Sequence, residues 1–91
     1  MAGVLVTIIG RDRPGLLAKI TSIIADLGGN IDDIKGHVVE VEKGKRIASL
    51  TLYVEGPKDP TFYDKIKDEL EKIASELEVK IYIDPVVTFL G

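Results

Sequence analysis

Along this chain the apolar residues alternate between a spacing of two and a spacing of three to four. The order of those switches limits the folds open to it. In "GVLVTII", residues 3 to 9, Val4, Val6 and Ile8 fall on one face of a strand, and Leu5, Thr7 and Ile9 on the other. Residues 14 to 27 then read as a helix. Leu16, Leu17, Ile20, Ile23, Ile24 and Leu27 recur at helical spacing, with Lys19, Ser22 and Asp26 opposite. Pro14 suits a first helical turn and Gly28–Gly29 a stop. Residues 30 to 42 return to strand spacing, but Ile31, Val39 and Val41 differ in parity from Ile34 and Val38. This predicts a bulge near Lys35 to Val38, with Gly36 as its place. "EKGK" at 42 to 45 is a hairpin turn, and 46 to 54 a third strand presenting Ala48, Leu50, Leu52 and Val54 on one face. After "EGPKDP", with Asp59 or Thr61 as cap, residues 61 to 77 form a second helix on Phe62, Ile66, Leu70, Ile73, Ala74 and Leu77. Residues 79 to 84 alternate as a fourth strand.

The order β-α-β-β-α-β predicts an α+β, ferredoxin-like two-layer sandwich: a four-stranded antiparallel sheet with both helices on one face. Ninety-one residues suffice for one domain and not two, so 1–91 is read as a single domain with a core at 3–84 and an apolar tail at 85–91. The net charge of −3, scattered basic residues and 5% aromatics argue against a nucleic-acid module. With no cysteine, disulfides, thiolate catalysis and cysteine metal sites are excluded. No signal peptide or bilayer-length apolar run is visible, and a cytoplasmic protein without membrane partners is expected.

In a two-layer fold the sheet face away from the helices should be polar. Here it would hold Leu5, Ile9, Ile47, Tyr53 and Tyr82, and the tail adds Val86, Val87, Phe89 and Leu90. Either the tail covers that face or a second copy does. Self-association through Leu5, Ile9, Tyr53 and Phe89 is the sharper expectation.

The junction "GRDRPGLLAKI", residues 10 to 20, is the candidate site. A glycine-bearing turn opening a helix offers backbone N–H groups at the positive end of the helix dipole, where a carboxylate or phosphate binds. Gly10 and Gly15 let backbone approach a ligand. Asp12 either receives an ammonium group or caps the helix, and Arg11 and Arg13 are read as solvated. Asn30, whose amide both donates and accepts, starts the second strand. The first and second strands are not neighbours in this fold, so Asn30 meets the loop only through details of the fold or a second subunit. Asp32, Asp33 and His37 make a poor metal set, with one histidine and a bend between them. No nucleophile–base pair is visible, so neither catalysis nor a cofactor is expected.

The stretch "VTIIGRDRPGLLAKITSIIADLGGNIDDI", residues 6 to 34, resembles the first half of an ACT domain: a strand, then G-x-[DN]-x-P-G opening a helix, then G-x-N-[IL] beginning the next strand. The matching residues are Gly10, Asp12, Pro14, Gly15, Gly28, Asn30 and Ile31. The resemblance implies a small regulatory domain that binds an amino acid between paired domains. By position, Gly10, Asp12, Gly15, Leu16 and Asn30 would contact the ligand and Ile31 would line its pocket. Serine-binding members often carry polar side chains where this chain has Gly10 and Asp12, and Gly10 has none. The chain is similar to stand-alone members likened to the glycine-cleavage-system repressor. That implies a homodimer acting in trans on a separate enzyme or regulator. A ligand-free interaction module is the alternative.

Overall fold

A computed structural model describes residues 3–86. Its elements are β1 (Gly3–Arg11), α1 (Leu16–Asp26), β2 (Asn30–Glu42), β3 (Lys45–Glu55), α2 (Phe62–Ala74) and β4 (Val79–Val86). The strands form one antiparallel sheet in the order β2-β3-β1-β4, the ferredoxin-like arrangement expected.

The core lies between the sheet and the two helices. Val4, Val6 and Ile8 of β1 meet Ala48, Leu52 and Val54 of β3. α1 contributes Leu16, Ile20 and Ile24, and α2 contributes Phe62, Ile66 and Leu70. Each fully buried side chain of this size contributes about 1.5–3 kcal/mol of transfer free energy. No polar or charged residue is buried among the described residues.

Four local expectations need correction. α1 begins at Leu16, not Pro14, because Gly15 caps it in the left-handed region with φ 81° and no helix continues through that conformation. α2 ends at Ala74, not Leu77. Residues 75–78 are a turn, in which Glu78 takes φ 56° before β4 begins. The irregularities of β2 fall at Asp32 and Val41, not Gly36, which sits in regular register opposite Leu50. A bulge at Asp32 flips the parity just as well, and the Asn30 side-chain amide donates to Asp32 Oδ1 at 2.8 Å across it. Asp12 does not cap α1, which has no side-chain cap. Its backbone N–H donates to the Arg46 carbonyl at 3.1 Å, and its carboxylate lies 3.8 Å from the Arg46 guanidinium.

β1 and β4 run further than the alternation alone marked, to Arg11 and to Val86. Pro85 and Val86 of the expected tail therefore pair with Val4 and Gly3. The rest of the tail, Phe89 included, lies outside the described residues.

Candidate functional site

The β1–α1 loop is pinned on both sides. Gly10 packs against β4: a Cβ there would sit 2.6 Å from Val79 Cγ1 and 2.8 Å from Val79 Cα. Its missing side chain thus makes room for a neighbouring strand, not for a ligand. Arg13 reaches the turn before β4, 3.3 Å from the Glu78 carboxylate. Gly15 faces open space and is constrained only by its positive φ.

Between this loop, the start of α1 and the inner face of β2 and β3 lies a groove of about 320 Å³. Asp12, Arg13 and Gly15 line it from the loop, Leu16, Leu17 and Ala18 from α1, and Val38, Ala48 and Leu50 from the sheet. The flank exists because α1 leaves β2 largely uncovered. Ile34 and Val38 point to the helix side of the sheet, opposite Leu52 and Ala48, yet both remain exposed. Leu17, on the flank of α1 that lines the groove, is 38% exposed and Val38 is 46% exposed.

Of the residues expected to hold a ligand, the groove gathers Asp12, Gly15 and Leu16. Gly10 is not in it. Asn30 and Ile31 lie at the other end of the sheet, paired with Glu55 and Val54, whereas Gly10 pairs with Ala48. Val38 lies eight positions along β2 from Asn30, about 25 Å of extended strand. Leu17, Val38, Ala48 and Leu50 were not singled out as site residues from sequence. The shared parity of Ile34 and Val38 was their only signal.

The remaining apolar surface falls in two places. On the open sheet face Leu5 and Tyr53 are directly opposed and half-buried, and Ile9 and Tyr82 are exposed on the same side. β2 is a thirteen-residue edge strand, exposed along nearly its whole length, with Ile34, Val38, Val39 and Val41 uncovered. No helix among the described residues is long and apolar enough to cross a membrane.

These features meet in a known class. A family model for the ACT domain matches residues 3–84, and the chain belongs to that family. It is 31% identical over 83 residues to a UPF0237 protein of Methanopyrus kandleri, covering 91% of this chain and 87% of that one. The ACT domain protein from Streptococcus pneumoniae superimposes with a TM-score of 0.78 at 28% identity, over 99% of this chain and 96% of that one. A structure described as a candidate glycine cleavage system transcriptional repressor gives the same TM-score of 0.78. Its identity is 17%, and the match spans 99% of this chain and 48% of that one, a likeness of fold.

Proposed function

We propose that this chain is a non-catalytic regulatory domain, binding a small amino acid as a homodimer and acting in trans on a separate enzyme or regulator. The observation that carries the reading is the groove, which sets the Asp12 carboxylate and the start of α1 around one space of amino-acid size. In it, Asp12 receives the ligand's ammonium group, and backbone at the start of α1, past the Leu16 N–H already given to the Arg13 carbonyl, faces its carboxylate. Asn30 and Ile31 of the same chain are too distant to take part. A two-fold axis near the middle of β2 resolves this. Antiparallel pairing of two β2 edges carries the start of one strand beside the Val38–Val39 stretch of the other, which sets Ile31 of the partner subunit on the groove's side of the sheet and Asn30 on the opposite face. The exposed apolar residues of β2 support such an edge. Regulation then equals the difference in ligand affinity between the paired arrangements.

The test is a thermal-shift screen against the twenty amino acids, with mass followed by light scattering. A ligand of the folded state raises the melting temperature. The expected result is a dimer, at least one stabilising amino acid, and loss of that shift in Asp12→Ala with the fold intact. A flat screen on a stable dimer favours the second reading, a ligand-free interaction module. Its support is the open sheet face around Leu5, Ile9 and Tyr53.

A further inference from the structure

We infer that the ligand of this groove is an amino acid with an apolar side chain, and that Val38 and Leu17 select it. The inference rests on the amino-acid-binding reading and adds the side-chain class.

The groove divides chemically. Among its lining residues only Asp12 and Arg13 carry polar side chains, and they are adjacent in the loop at its mouth. The Asp12 carboxylate complements the ammonium of an amino acid, and the positive end of α1 faces its carboxylate, while the Arg13 guanidinium is turned to Glu78 before β4. The Asp12 charge is not locked away. It meets Arg46 only at 3.8 Å, in a pair whose side chains are both at least a third exposed. Such pairs are screened and exchange partners at little cost.

Beyond the mouth the chemistry is hydrocarbon. Ala48 and Leu50 supply sheet, Leu16 and Leu17 one helical wall, and Val38 the strand wall. None of these side chains offers a donor or acceptor. A hydroxyl or amide placed there loses its water without gaining a partner, whereas a methyl-bearing side chain gains. The exposed Leu17 and Val38 are then covered by the ligand itself. At about 320 Å³ the space is at the low end of the roughly 300–1,000 Å³ usual for ligand pockets, which suits a single amino acid better than a nucleotide-sized molecule.

Calorimetric titration of the full chain with L-leucine, L-valine, L-serine and L-asparagine tests this, for the wild type and for Val38→Ser. Val38 is exposed, so the variant should fold, and a thermal melt without ligand checks that. One methylene in an apolar pocket changes affinity by about 10–200-fold, and an open groove belongs at the low end. Leucine is therefore expected to bind about tenfold or more tightly than serine, with that preference collapsing towards one in Val38→Ser. Leu17→Ser should act in the same direction and guards against a local misfold in the first variant. If serine or asparagine binds and leucine does not, the side-chain class is overturned while the amino-acid site stands. A leucine preference untouched by both variants overturns the groove as the side-chain pocket. If none of the four binds and the twenty-amino-acid screen is also flat, the binding reading itself fails and this inference with it.

Discussion

Gly10 and Gly15 bound one loop but are glycine for different reasons, and substitution separates them. At Gly10 an added methyl meets Val79 side chain and backbone at once. Gly10→Ala should cost about 1–3 kcal/mol, as overpacking does, in urea denaturation. At Gly15 the space is open and only the backbone is constrained. Gly15→Ala should cost about 1–2 kcal/mol, and Gly15→Asn less, since asparagine tolerates the left-handed region. An equal penalty for alanine and asparagine at position 15 would contradict this assignment. Both glycines were visible in the sequence as a turn opening a helix. Which was held by a neighbouring strand was not, because Val79 lies far along the chain and nothing local marks its approach.

The elements carry their own tests. The start of α2 hangs on Asp59. Its Oδ1 accepts from the Thr61 hydroxyl at 2.7 Å and the Thr61 backbone N–H at 2.9 Å, and Lys65 Nζ lies 3.3 Å from Oδ2. The Thr61 hydroxyl, then the Thr61 N–H, hold the Asp59 carboxyl below its ordinary range. A depressed folded pKa means stability present above the unfolded value and lost as pH falls through the folded one. Asp59→Asn should therefore melt below wild type at neutral pH, and the gap should narrow on acidification. A gap independent of pH would refute the role of the charge. Within the same helix Ile66 is fully buried, and Ile66→Ala should cost about 2–5 kcal/mol. The existence and order of all six elements were legible from apolar spacing, and β2 even at both ends. The boundaries of α1 and α2 were not, since the left-handed backbone at Gly15 and the turn at 75–78 interrupt a side-chain pattern that runs on unbroken. The bulge at Asp32 was legible as a parity conflict, but a conflict can be relieved at any point between the residues that disagree, and the irregularity at Val41 left no such mark.

At the scale of the whole molecule, half the expected site is assembled in one chain and half is not. The sequence places Asp12 and Asn30 on either side of α1, yet α1 runs back along the sheet, so β2 starts at the end where β1 began, with Gly3 and Asn30 both paired to Glu55. No single-chain reading of motif spacing could bring them together. If two chains pair along β2, Val39→Lys should shift the light-scattering mass towards monomer and remove the ligand-induced melting shift as well. Mixed dimers give a sharper test. Ile31→Ala and Val38→Ser chains, each impaired alone, should recover about half the wild-type sites per mixed dimer when co-refolded, because both lesions then fall in one site and the other stays intact. Recovery of none would rule out a site shared between the two chains.

The two margins of the sheet differ. β2 offers a long apolar border that departs from regular register only at Asp32 and Val41, while β4 carries Pro85, which has no N–H to give a further strand. If two molecules meet at β2, the outer borders of the pair are both β4. Growth by strand addition then ends at two, so the same border that makes the chain adhesive is used up in the first encounter. That arrangement separates a closed pair from the open, fibre-forming stacking to which exposed strands otherwise lead.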